Sequence, residues 1–257
     1  MAVHPVAAAG FGRSAEVYER GRPGYPEAAI RWLGDKLPLR AGVTVVDLAA
    51  GTGKLSRPLA ATGACVVAIE PLKAMRRAIG AGIAALEGTA ESIPLPDRSA
   101  DAVTVGQAFH WFDGDLALAE IHRILKPNGA LALLWNTRRM EDPIHVSIER
   151  LISPHCEQVP RHGTRAWREA FDRTYLFAPL EEVEFDHEQL LDAQELEARV
   201  ASTSAIAALP EGERDAVLQD VRALAGAGAV KLRYRCEVHL TIAQDARLSH
   251  SPPRAPA

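Results

Sequence analysis

The stretch best equipped for chemistry is Val45-Val46-Asp47-Leu48-Ala49-Ala50-Gly51-Thr52-Gly53-Lys54-Leu55. Its first half is β-branched and unbroken, as in a strand buried on both faces, and it ends in a glycine turn running into a helix. Glycine is needed where backbone must approach a ligand with no Cβ in the way. In open α/β sheets such a turn lies at the carboxyl end of a strand, where nucleotides bind. A phosphate-binding loop would require Gly-x-x-x-x-Gly-Lys-Ser/Thr. Here Leu48 occupies the first glycine position and Leu55 follows Lys54, so that reading fails twice. A dinucleotide fingerprint places Ser56 at its third small position, a weaker mismatch. An acidic residue followed by small-x-Gly-x-Gly, the pattern of an S-adenosylmethionine loop, is met by Asp47, Ala49, Gly51 and Gly53, with Thr52 between the glycines. At the end of the next strand stands Glu70, whose carboxylate can accept hydrogen bonds from both hydroxyls of a ribose. That carboxylate serves NAD as well as S-adenosylmethionine, and it also suits a plain helix-starting acid before Pro71.

Beyond this loop, His110 in Gln107-Ala108-Phe109-His110-Trp111-Phe112 is the candidate general base, with a packing histidine as the alternative. Trp111 can wall a pocket or offer its ring to a cation. Near the N-terminus, Tyr18, Arg22 and Tyr25 suit a lid, in which Arg22 could pair with a carboxylate or remain a solvated helix-end arginine. Among the other histidines, His155-Cys156 with the distant His162 only weakly echoes metal-ligand spacing, so no metal site is expected. A Gly-x-Ser-x-Gly elbow is absent, which removes a serine hydrolase.

These residues need strands and helices to hold them. The pattern predicts strands over 43–48, 65–69, 84–87, 102–105 and 130–135, with helices over 54–62, 72–79 and 115–125 between them. A Lys126-Pro127-Asn128-Gly129 turn feeds the fifth strand. Strand–helix alternation implies a parallel sheet with helices on both faces and right-handed crossovers. From 142 to about 175 the pattern is helical. A strand follows over 180–187, then helices over 196–202 and 211–225, and a final strand over 231–242.

Composition sets outer bounds. At 257 residues and 47% hydrophobic, the chain can bury a large core without disulfides, and three scattered cysteines suit a reducing compartment. A formal charge of −4 without a long basic run argues against a nucleic-acid partner. Neither a signal-peptide pattern nor an apolar run of membrane-spanning length is present, so the expected location is the cytoplasm with no membrane partner.

Taken together, Val45 to Ile79, then Gly88-Thr89-Ala90-Glu91-Ser92-Ile93-Pro94, then Ile124-Leu125-Lys126-Pro127-Asn128-Gly129 resemble the class I methyltransferase core. Arg22-Pro23-Gly24-Tyr25-Pro26 and Ala108-Phe109-His110-Trp111-Phe112 are similar to segments of the trans-aconitate methyltransferase-like, type 11 group of bacterial small-molecule enzymes. The resemblance implies that Asp47 orients the methionyl part of S-adenosyl-L-methionine against the backbone of Ala49–Gly53. It also implies that Glu70 holds the ribose and that Pro71, Met75, Ala90 and Glu91 border the adenine, with Gln107 beside the sulfonium. Many relatives carry glycine where this chain has Ala49, which is strained if the backbone there needs positive φ.

The fold expected is therefore α/β: a Rossmann-like, doubly wound, mostly parallel seven-stranded sheet with an inserted helical cap. Residues 1–40 would form a lid, 41–140 the cofactor-binding core and 141–228 a mostly helical cap carrying one core strand. A final strand would lie within 229–248, followed by a disordered tail over 249–257. The expected activity is methyl transfer to a small organic acceptor at O, N or C, with oligomeric state left open. The rivals are an NAD-dependent Rossmann oxidoreductase and a cofactor-binding relative that transfers no methyl group. A protein or nucleic-acid methyltransferase is disfavoured by the acidic balance and the missing Asn/Asp-Pro-Pro-Tyr/Phe tetrad.

Overall fold

The computed structural model describes residues 15–244 apart from 38, 157–159, 161 and 227. The expected tail over 249–257 and the first fourteen residues of the expected lid lie outside the described residues. Seven strands form one sheet in the order β3-β2-β1-β4-β5-β7-β6. They are β1 (Thr44–Leu48), β2 (Cys65–Ile69), β3 (Ala84–Leu86), β4 (Ala100–Gly106), β5 (Leu125–Arg138), β6 (Glu181–Leu191) and β7 (Val230–Ile242). The first five pair in parallel; β7 runs antiparallel to both β5 and β6. This is the Rossmann-like, mostly parallel sheet that the alternation implied.

Side-chain alternation sends odd and even residues of the strands into separate cores. Val46, Leu48, Val103, Val105, Leu131, Leu133 and Trp135 join one buried cluster; Val45, Ala102, Ala132, Leu134, Val238 and Leu240 join the other. Against the second face lie α2 (Glu27–Lys36) and α3 (Ser56–Ala61), through Ala29, Ile30, Leu33 and Leu59. Helix α4 (Lys73–Ala78) follows β2. Helix α5 (Gly114–Ile124) covers the first face through Ala117, Leu118, Ile121 and Ile124, and its N-cap Asp113 accepts a hydrogen bond from the Leu116 amide. Leu116 itself, apolar in the sequence pattern, is exposed.

Three boundaries differ from expectation for local reasons. Residues 51–55 stay in turns, so α3 begins at Ser56 rather than Lys54, and Pro58 still falls in its first turn. The Lys126–Gly129 turn is absorbed into β5 as an irregularity. Leu125 pairs with Ala100 and Ala130 with Ala102, and Asn128 takes φ +61°. Among the described residues between 142 and 175, only α6 (Pro143–Ile152) and α7 (Glu169–Arg173) are α-helical; short 3-10 turns at Ser153–His155, His162–Thr164 and Ala166–Arg168 lie between them, Pro154 opening the first.

A third apolar cluster joins α6, α8 (Ala193–Ala201), α9 (Ser204–Ala207) and α10 (Glu211–Ala225) to Leu232 and Tyr234 of β7. Asp192 opens α8 with a reciprocal capping box to Glu195. The first described helix, α1 (Ala15–Gly21), lies against α8. A Cβ on Gly21 would collide with the backbone of Ala198 and Arg199, so the close approach requires glycine. None of the described helices is long and apolar enough to cross a membrane.

Candidate active site

At the carboxyl end of β1, Ala49, Gly51 and Gly53 all take positive φ (+55°, +59° and +82°). The alanine is thus held in a conformation that costs an L-residue about 1–2 kcal/mol. Asp47 is 1% exposed and faces inward. Its two oxygens accept from Ser56 Oγ (2.5 Å) and Thr104 Oγ1 (3.1 Å), tying the turn to α3 and β4. Burial lifts its carboxyl to about 6 against the pull of those two donors. Asp47 therefore shapes the loop from behind.

Glu70, 5% exposed, accepts from the Gly51 amide through Oε2 and from the Leu72 amide through Oε1, both at 2.9 Å. The carboxylate at the end of β2 is thus already in contact with the glycine turn, and burial raises its pKa. Pro71 is half-buried beside it, Met75 is buried on α4, and Ala90 is buried in the segment after β3. Glu91 accepts from the Asp113 amide at 3.1 Å, which binds that segment to the start of α5.

Helix α1 closes directly over the turn. Glu19 accepts from Thr52 Oγ1 (2.5 Å) and Arg57 (2.5 Å) and pairs with Lys54 at 3.6 Å. A Cβ on Gly51 would touch the Tyr18 ring. The chain beyond α1 is fastened by Asn136 Nδ2 to the Gly24 carbonyl, Arg22 Nη2 to the Ser202 carbonyl and Gln189 Nε2 to the Gly21 carbonyl. Tyr25 packs its hydroxyl where a Cβ on Gly106 would stand.

A cavity of about 580 Å³ opens beside these elements, between the carboxyl ends of β4 and β5 and the helices after β5. Tyr18, Arg22, Gln107, His110 and Trp111 all line it, so the fold gathers five of the residues singled out in the sequence into one wall. Gln107 reaches it from a backbone at φ +61°, a strained position of the kind that collects at functional sites. The sequence did not point to Arg138, Arg199, Tyr234 or His145, which also line the cavity and come from β5, α8, β7 and α6. Arg138 pairs with Glu149 (2.6 Å), and Arg199 Nε donates to the Tyr234 hydroxyl (3.0 Å). Burial, and then the nearby Arg199, hold the Arg22 guanidinium down at about 10.

His110 is not arranged as a base. The Trp135 indole N–H, which can only donate, gives its hydrogen to His110 Nδ1 at 3.2 Å. The neutral ring therefore carries its proton on Nε2 and offers a donor. Burial, then His162 and Arg22, hold its pKa down at about 3.

A methyltransferase-domain family matches residues 46–133, the span from β1 into β5. An uncharacterized methyltransferase of Mycobacterium tuberculosis is 50% identical over 131 residues, 50% of this chain and 52% of that protein. The chain therefore spans about half the length of that relative. An uncharacterized methyltransferase-like protein of Schizosaccharomyces pombe is 33% identical over 205 residues, covering 78% of this chain and 79% of its own. This chain belongs to the methyltransferase family. A solved candidate type II methyltransferase from Anaeromyxobacter dehalogenans shares the fold, with a TM-score of 0.65 at 24% identity over 86% of this chain and 97% of that one. Family membership favours the S-adenosylmethionine reading of the glycine turn over the dinucleotide reading.

Proposed function

We propose that this methyltransferase moves a methyl group from S-adenosylmethionine to a small organic acceptor bearing negative charge. The observation that carries the cofactor assignment is the edge between β1 and β2. There a left-handed, Cβ-poor turn presents its amides, and Glu70 stands against one of them. The residues fit the group: Ala49–Gly53 would border its methionyl part, Glu70 its ribose, and Pro71, Met75, Ala90 and Glu91 its adenine. Gln107 would stand near the sulfonium. The bound cofactor supplies an electrophilic methyl carbon; the chain's task is to align and desolvate the acceptor.

The acceptor class follows from the cavity's charge. Among the described residues its ionisable wall includes Arg22, Arg138 and Arg199 against a single carboxylate, Glu149. The buried Nε of half-buried Arg22 has no hydrogen-bond partner among the described residues. A carboxylate or phenolate would satisfy this surplus, and an acid already ionised at neutral pH needs no base, in keeping with the donor state of His110. The volume suits one small organic molecule. Incubation of the chain with methyl-labelled S-adenosylmethionine and matched sets of acids, phenols and amines tests this reading. Label is expected in acids or phenols; label confined to amines would overturn the charge argument, and label in none of the three would overturn acceptor and reaction together.

A further inference from the structure

Behind the cavity wall, β7 alternation puts Glu237 and His239 on the same face of the sheet as Trp135, whose register partner is Glu237. From the chain segment after α6, His162 stacks on the Trp135 ring at 4.3 Å between centroids and brings its imidazole to the same point. His162 Nε2 lies 3.5 Å and His239 Nε2 3.8 Å from the same oxygen, Glu237 Oε2. All three ligand-type atoms fall within 4.8 Å of one another. At metal–ligand distances near 2.1 Å, tetrahedral geometry separates neighbouring ligand atoms by about 3.4 Å. The trio needs only a small contraction to reach that figure.

Two further observations point to a ligand. His239 is 2% exposed, and neither of its ring nitrogens has a hydrogen-bond partner among the described residues; His162 Nε2 has none either. Leaving buried polar atoms unpaired is costly, and a bound metal ion would satisfy them. The surroundings are also those of a metal site. Thr137 Oγ1 donates to Glu237 Oε1 at 2.8 Å, which leaves Oε2 to the imidazoles. Behind His239, Glu182 Oε2 lies 3.6 Å from Nδ1, and the other oxygen, Oε1, is held by Arg168 at 2.6 Å. A carboxylate behind a ligating histidine fixes its tautomer and orientation.

We propose that His162, Glu237 and His239 bind a divalent transition-metal ion of the zinc class, clamping the segment around His162 to β7 beside the acceptor cavity. Two neutral imidazoles and one carboxylate are ligands that zinc accepts readily. This proposal stands apart from the methyl-transfer reading, because it uses none of the cofactor loop.

Chelator-stripped, purified chain would be titrated with Zn²⁺ by calorimetry and with Co²⁺ by visible absorption, alongside Glu237→Gln and His162→Gln. The expected result is one equivalent bound, with visible Co²⁺ bands of a low-coordinate site and affinity at least about 100-fold weaker in each variant. Zn²⁺ should raise the melting temperature of the parent chain and leave that of the variants unchanged. Far-UV circular dichroism and the metal-free melting temperature of the same samples should match the parent in both variants and so certify that they are folded. Absence of stoichiometric binding, or binding that survives both substitutions, would overturn the site.

Discussion

His110 shows how one hydrogen bond reassigns a residue. A general base contributes about 10²–10⁴-fold to a proton-transfer step, whereas one neutral hydrogen bond is worth about 0.5–1.5 kcal/mol, roughly three- to tenfold. His110→Asn preserves an acceptor for Trp135 and a donor for the cavity, so it should keep most of the activity, and His110→Ala should lose about three- to tenfold. Equal, hundredfold losses in both, read from kcat/KM, would return the base. Ala49 carries a different lesson. Replacing it by glycine relieves the left-handed strain and gives back part of that gain through the looser unfolded chain, for a net stabilisation of about 0.5–1 kcal/mol in denaturant melts. Asp47 gives the pH dependence. Its folded pKa of about 6 lies above the ordinary 3.8, so the folded chain holds that proton more tightly than the unfolded one. Its contribution to stability is full below about pH 4 and is lost as pH rises through 6. The melting temperature of Asp47→Asn minus that of the parent should therefore climb between pH 4 and 6 and level off above; a flat difference would show that the carboxyl is not buried as described.

At the scale of elements, the placement of α1 over the glycine turn depends on how closely it meets α8. Gly21→Ala drives a methyl group into the Ala198–Arg199 backbone, and overpacking of this kind costs about 1–3 kcal/mol. The substitution should lower the melting temperature and speed amide exchange around Tyr18–Gly24; unchanged exchange would mean that α1 does not rest on α8. Strand and helix order was legible because it is written locally, in β-branched runs broken by glycine. The 3-10 turns at Ser153–His155, His162–Thr164 and Ala166–Arg168 were not, because apolar residues such as Trp167 reach the core from a 3-10 turn as well as from a helix. The irregularity at Lys126–Gly129 was also hidden, since the same residues serve a free turn or a kinked strand.

For the whole molecule, the edge proposed for the cofactor could be read from the sequence because Asp47, the glycines and Glu70 lie at the ends of two successive strands. The cavity beside it could not, since Arg22, Arg138, Arg199 and Tyr234 meet only after β7 inserts between β5 and β6 and the helices fold over the sheet edge. Glu237 and His239 do carry a local signal, the i, i+2 alternation of a strand, but their third partner lies far back at His162. What organises all of these parts is the site between β1 and β2, and its claim is the one to test first. Calorimetric titration with S-adenosylhomocysteine, with NAD in parallel and Glu70→Ala as control, does so directly. The account expects S-adenosylhomocysteine to bind, NAD not to compete, and the variant to lose most of the affinity. Preference for NAD, or binding indifferent to Glu70, would contradict it.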